Sequence, residues 1–285
     1  MSTNYLTLIN TETLAKRLSD SHWVIVDCRF DLLNPEAGFA QYRQGHLPGA
    51  VYADLNHDLS GPVTADSGRH PLPDPNAFRA TMGRFGVDAT KQVVAYDDAG
   101  GMLASRLWWM LRYYGHEAVA VLDGGFSQWQ RQGNPVESGV HQNRPAQFKG
   151  KPQQGWVVGL DEVEKNLHQA RFRLIDSRSP ERYRGELETL DRVAGHIPSA
   201  ANHFYGNNLD SQGTMRSPEV LREQFEALLQ GKRPEETVFY CGSGVSACHN
   251  LLALEHAGFA GAKLYAGSWS QWCKDPRRPI AQGNE

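Results

Sequence analysis

The sequence predicts an α/β protein built from two tandem domains, each a mainly parallel sheet flanked by helices on both faces. Three observations carry this expectation. The chain has 285 residues, about twice an ordinary domain. Four sequence blocks occur twice in the same order. Short apolar runs alternate with amphipathic stretches, the pattern of strand–helix–strand units.

The blocks of the first half are Val24-Ile-Val-Asp-Cys-Arg29, Gly45-His-Leu-Pro-Gly-Ala50, Val93-Val-Ala-Tyr-Asp97 and Gly124-Gly-Phe-Ser-Gln-Trp129. The second half answers with Arg173-Leu-Ile-Asp-Ser-Arg178, Gly195-His-Ile-Pro-Ser-Ala200, Thr237-Val-Phe-Tyr-Cys241 and Gly267-Ser-Trp-Ser-Gln-Trp272. Two copies make a duplicated domain, whereas a solenoid needs at least three. The expected organisation is a first domain over 1–138, a linker over 139–155 and a second domain over 156–285. The linker is rich in Gln, Gly, Pro and Asn and lacks hydrophobic periodicity.

Within each half, Thr11–Leu18 and Asp161–Leu167 set a capping-type residue before an amphipathic run, the signature of a helix start. Val93–Tyr96 and Val238–Tyr240 are short apolar runs suited to parallel strands buried on both faces. In such sheets ligands bind beyond the carboxyl ends of strands, where loops enter helices.

Composition narrows the function classes. Hydrophobic residues make up 40% and charged residues 21%, with a net charge of −3, which gives no reason to expect nucleic acid or an anionic membrane as partner. The polar N-terminus lacks the basic-then-apolar order of a secretory signal. No apolar run approaches the roughly 20 residues that cross a bilayer, so the expected location is cytoplasmic. The four cysteines, Cys28, Cys241, Cys248 and Cys273, form no Cys-x-x-Cys pair. Neither a metal site nor any other cofactor is expected, and a reducing compartment keeps the cysteines as thiols.

For a free cysteine, burial as a small hydrophobe is the default reading. The context of Cys241 argues otherwise. The strand Val238–Tyr240 runs into Cys241-Gly-Ser-Gly-Val-Ser246 and then into a helical stretch, Ala247–Leu254. Glycines at 242 and 244 let the loop turn tightly and aim backbone N–H groups inward. The helix start adds further unpaired donors. An ordinary thiol, with pKa ~8.5, is only a few per cent thiolate at neutral pH, and a shift of two units takes about 2.7 kcal/mol. One or two hydrogen bonds to the anion, at ~1.5–3 kcal/mol each, are enough. Cys241 is therefore the expected nucleophile.

The repeat, the Gly-His-Ile-Pro block, the strand ending in cysteine and the Gly-Ser-Trp-Ser-Gln-Trp ending together resemble the two-domain rhodanese-like sulfurtransferases, over nearly the whole chain. The loop Cys-Gly-Ser-Gly-Val-Ser-Ala-Cys is closest to the 3-mercaptopyruvate sulfurtransferase branch. The thiosulfate branch places Arg and Lys where this chain has Gly242 and Ser243. The resemblance implies sulfur transfer from 3-mercaptopyruvate through a Cys241 persulfide to cyanide, a small thiol or a protein thiol, thioredoxin among them. Thiosulfate:cyanide transfer is the alternative, and a non-catalytic regulatory module a further one. It also implies that the first domain is silent, because Asp97 occupies the cysteine position and a carboxylate cannot carry sulfane sulfur.

The same resemblance assigns helpers. Ser243 and His70 handle protons, and Arg182 and Arg192 hold the carboxylate of the sulfur donor. Gly242, Gly244, Val245 and Ser246 form the loop around it. At the position of the family's aspartate stands Asn56, with Asp58 two residues later. Other repeated residues have structural readings: Asp27/Arg29 and Asp176/Arg178 as internal ion pairs, His46 and His196 as hydrogen-bonded turn residues, Trp129 and Trp272 as core, and Cys248 as a buried helix residue. A cysteine phosphatase would also set a thiolate in an anion-binding loop, but it needs an arginine six residues on, where Ala247 stands.

Overall fold

The computed structural model describes residues 4–284, which pack as two compact units. The first contains the residues up to Gly61, Pro73–Gln153 and Ser211–Met215. The second contains Pro62–Leu72, Gln154–Asp210 and the residues from Arg216 onward.

The first unit carries a five-stranded sheet of β1 (Leu8–Ile9), β2 (Trp23–Asp27), β3 (Val51–Tyr52), β4 (Gln92–Tyr96) and β5 (Val119–Leu122), in the order β1-β5-β4-β2-β3. The second carries β6 (Arg173–Asp176), β7 (Ala201–Asn202), β8 (Thr237–Tyr240) and β9 (Lys263–Leu264), in the order β7-β6-β8-β9. All pairings are parallel. A single parallel bridge from Val157 to Leu264 supplies the second sheet with the counterpart of β1. Both central strands, β4 and β8, are buried along their whole length, as continuous apolar runs in a parallel sheet require.

Both helices form, but neither Thr11 nor Asp161 caps them. Asn10 caps the helix Thr11–Ala15 by accepting from Thr13 N at 2.8 Å. At Leu160–Gln169 the cap residue is Gly159, and the side chain of Glu162 reaches back to its N–H at 2.9 Å, the half of a capping box that needs no cap side chain. The 139–155 stretch contains no helix or strand. It is tied to the first unit instead, through Ala146 N to Gly83 O and Gln153 N to Tyr113 O, both at 2.9 Å.

The repeated residues pack as equivalents. Arg29 forks onto Asp27 and donates to Gly45 O at 2.6 Å; Arg178 forks onto Asp176 and donates to Gly195 O at 2.7 Å. His46 and His196 place Nδ1 2.8 and 2.7 Å from the carbonyls of Tyr42 and Tyr183. Trp129 and Trp272 are fully buried, each donating its indole N–H to a proline carbonyl, Pro135 O and Pro279 O.

The segment Pro62–Leu72 belongs by packing to the second unit because its backbone is hydrogen-bonded to the C-terminal helix region. Gln271 donates to Asp66 O at 2.7 Å, Lys274 to Thr64 O at 3.0 Å, and Arg69 N donates to Ser270 Oγ at 3.0 Å. Asp58 stays with the first unit, paired with Arg84 and accepting from Asp54 N.

At the end of β4 the first unit shows what its loop binds. The buried carboxylate of Asp97 accepts four backbone N–H groups, from Ala99, Gly101 and Ala104 at 2.8 Å and from Leu103 at 2.7 Å. Burial still holds this carboxyl above its ordinary range, against the pull of those four bonds. The loop is an anion cradle filled by its own side chain. Asp97→Ala should leave these buried N–H groups without a partner and lower stability by about 2–4 kcal/mol in urea unfolding. A change below about 0.5 kcal/mol would show that the carboxylate does not organise the loop.

Candidate active site

In the second unit the same strand end carries Cys241, 2% exposed. Three backbone contacts fix it against the helix Ser268–Trp272. Cys241 N donates to Ser268 Oγ at 3.2 Å, Trp269 N donates to Cys241 O at 2.9 Å, and Ser270 N donates to Gly242 O at 2.9 Å. Ser268 adopts φ 55°, a left-handed conformation unusual for a residue with a side chain. Its counterpart in the first unit is Gly125, at φ 56°. The strained serine is the residue whose hydroxyl receives the Cys241 N–H.

The loop turns at Gly244, whose φ of 79° aims its N–H at Cys241 Sγ, 3.1 Å away. A Cβ at 244 would lie 2.5 Å from Ala266 O, so glycine is required here on both counts. Gly242 is not among the positive-φ residues. It is small for a different reason: a Cβ there would sit 2.9 Å from Arg69 Nη2 and 3.5 Å from both Nη atoms of Arg182. Val245 is buried at the helix entry, and Ser246 opens the helix Ser246–His256. Cys248 is fully buried, with Sγ 3.4 Å from Gly244 O.

Ser243 and His70 meet, with Oγ and Nδ1 2.7 Å apart and both residues about 5% exposed. They are 173 positions apart in sequence, and the Pro62–Leu72 packing described above brings them together.

Arg182 reaches the loop, but not as a free fork. Its Nε and Nη2 bind the Glu188 carboxylate, and Nη2 lies 3.3 Å from Asp191 Oδ2. Asp191 is also ion-paired, through its other oxygen, with Arg69 Nη1. Burial alone pushes the Glu188 carboxyl up, but the Leu190 N–H and the Arg182 guanidinium hold it below its ordinary value. Asp191 goes the other way: burial raises it, and the attraction of Arg69 does not compensate. Arg192 is exposed and is not placed against the loop. It lines a cavity of about 440 Å³ together with Arg69, Leu190, Asp191, Ser270 and Lys274. Arg184 pairs with Glu186 at the surface.

The sequence reading missed Arg69, although its neighbour His70 stood out. The guanidinium group of Arg69 lies against Gly242 together with that of Arg182. The other thiols are poorly suited to nucleophilic chemistry. Burial, with Asp27 next, pushes Cys28 well above the ordinary thiol range, and burial with the Asp191 charge pushes Cys273 up to about 11.

This arrangement has known counterparts. The family described as rhodanese-like domain matches residues 10–132 and 159–275, and the chain belongs to that family. A Pseudomonas aeruginosa protein named "Probable 3-mercaptopyruvate sulfurtransferase" is 44% identical over 279 residues, 97% of this chain and 98% of its own. Bovine thiosulfate sulfurtransferase is 36% identical, over 85% of this chain and 83% of its own. The solved structure of 3-mercaptopyruvate sulfurtransferase from Leishmania major superposes with a TM-score of 0.85 at 31% identity, covering 96% of this chain and 76% of that one. Within the family this chain is a sulfurtransferase. No helix among the described residues is long and apolar enough to cross a membrane.

The two loop glycines should respond differently to a methyl group. Gly244→Ala meets backbone and a left-handed φ, and should cost about 2–4 kcal/mol in urea unfolding with sulfur transfer largely lost. Gly242→Ala meets only the movable ends of two arginines and should stay within about 1 kcal/mol of the parent. The opposite order of stability would contradict this account of the loop.

Proposed function

We propose that the chain takes sulfur from 3-mercaptopyruvate onto Cys241 as a persulfide and passes it to a thiophilic acceptor. That acceptor is cyanide, a small thiol or the thiol of a carrier protein such as thioredoxin. The Cys241 thiolate attacks the donor sulfur, and the S–S bond forms as the donor's C–S bond breaks. The bonding pair of the broken bond goes to carbon as the enolate of pyruvate. The proton that leaves the donor thiol ends on that carbon, so the products are the persulfide anion and pyruvate, with charge and atoms conserved. The carried sulfur is then transferred to the acceptor, which regenerates the Cys241 thiolate.

The observation that carries the choice of donor is the Ser243–His70 pair. Transfer from mercaptopyruvate moves a proton from sulfur to carbon and benefits from an acid–base pair beside the nucleophile. Thiosulfate releases sulfite and moves no proton at all. Loop charge does not discriminate between them, because Arg69 and Arg182 flank Gly242 and offset a dianion as well as a carboxylate. Thiosulfate use therefore remains the second reading, favoured by those same guanidinium groups.

Ser243→Ala and His70→Gln should each lower mercaptopyruvate turnover by about 100-fold or more, followed as pyruvate release. Thiosulfate turnover, followed as thiocyanate, should fall by less than about fivefold, and Cys241→Ser should abolish both. Equal losses on both sulfur donors in the Ser243 and His70 variants would remove the proton argument and with it the preference for mercaptopyruvate.

A further inference from the structure

We propose that Ser270 is the positioning residue of the Ser243–His70 pair: it holds the residue that precedes each partner and so sets the distance between them. This rests on the reading of that pair as the acid–base group beside Cys241.

The pair joins two segments 173 positions apart in sequence, so a third element has to fix their register. Ser270 touches both. Its backbone N–H donates to Gly242 O at 2.9 Å, and its Oγ accepts from Arg69 N at 3.0 Å. Gly242 stands directly before Ser243, and Arg69 directly before His70. The hydroxyl itself donates to Gly267 O at 3.3 Å, which turns its acceptor side to Arg69. Ser270 is only 4% exposed, and a hydrogen bond shielded from water holds its geometry more firmly than one at the surface. Proton transfer across the pair needs heavy atoms within about 2.6–3.2 Å, and the pair stands at 2.7 Å.

The approach from the other side is equally close. A Cβ on Gly68 would press against Gly267 O and lie 2.9 Å from Ser270 Oγ, so the segment that carries His70 comes this near only with glycine at 68. Farther from His70, the same segment is held by Gln271 at Asp66 O and by Lys274 at Thr64 O and Ala65 O. Those bonds keep it on the second unit when the Ser270 hydroxyl is removed, which leaves alignment at His70 as the property that changes.

The repeat conceals this role, because Ser127 occupies the matching position in the first half. Ser127 makes neither bond among the described residues; there Asp123 takes a backbone N–H instead, from Met215 at 2.8 Å. The double use of the serine is confined to the unit that carries Cys241.

The test uses the full chain with isotope-labelled histidine. The His70 ring-nitrogen resonances are identified by their absence in His70→Gln, and Ser243→Ala gives their position when the pair is broken. In Ser270→Ala they should move toward that broken position, and the ratio of kcat for mercaptopyruvate to kcat for thiosulfate should fall by about tenfold, since a misplacement of about 1 Å can cost 100-fold. Ser270→Thr keeps a hydroxyl and should hold the parent resonances, with the ratio within about threefold of the parent. Ser270→Val has the shape of threonine without the hydroxyl and should behave as Ser270→Ala does. Gly68→Ala should give the same loss from the opposite side and serves if Ser270→Ala does not fold.

His70 resonances that keep their parent positions in Ser270→Ala would overturn the proposal, whatever the activity. Equal behaviour of Ser270→Thr and Ser270→Val would overturn it too, by making the residue a packing element. If the resonances move while the donor ratio stays at the parent value, Ser270 still positions the pair and the assignment of proton transfer to that pair fails.

Discussion

A buried arginine–carboxylate fork at the end of a central strand is the constraint on which the rest of this structure depends. In the second unit Arg178 binds Asp176 through two donors and closes on Gly195 O, tying the strand end to the turn that precedes β7. Such a pair is weak evidence for net stability, yet removing one partner costs about 3–5 kcal/mol because the other is left charged and buried. Its value here is positional. Arg178 also lies 3.4 Å from Glu188, Glu188 holds Arg182, and Asp191 links Arg182 to Arg69. A chain of alternating charges thus runs from the sheet to Gly242, the residue next to Cys241.

The first unit repeats the fork at Asp27 and Arg29 and closes it on Gly45 O, with Asp98 the further carboxylate that acts on Arg29. The two halves also fill their strand-end loops differently. In one, the carboxylate of Asp97 takes four backbone N–H groups and the cradle is saturated. In the other, a thiol occupies the strand-end position and Gly244 N–H points at it. On a shared scaffold the two strand ends therefore differ, with a carboxylate saturated by its own loop in one and a thiol beside Ser268 in the other.

Much of this was legible in the sequence, because the repeat marks which residues serve the fold. Residues present in both halves, such as Asp27 and Asp176 or Trp129 and Trp272, pack as equivalents in the two units, and Cys241 stood out by breaking the repeat. Ser243 lay in the loop itself. Arg69 and the engagement of Arg182 with Glu188 were not legible. Both depend on packing between segments distant in sequence: Pro62–Leu72 joins the second unit through hydrogen bonds to Ser270, Gln271 and Lys274, none of which leaves a periodic trace. The one available signal for Arg69 was its position beside His70. Arg192 shows the converse failure, since closeness in sequence to Arg182 did not place it at the loop.

The central claim is that Cys241 carries the sulfur between two separate half-reactions, and pre-steady-state pyruvate release tests it most directly. Mixed with mercaptopyruvate and no acceptor, the protein should release pyruvate in a burst of one equivalent per chain and then stop, with turnover resuming when cyanide is added. No burst, with pyruvate appearing only while acceptor is present, would mean that sulfur passes directly between substrates and would contradict the account.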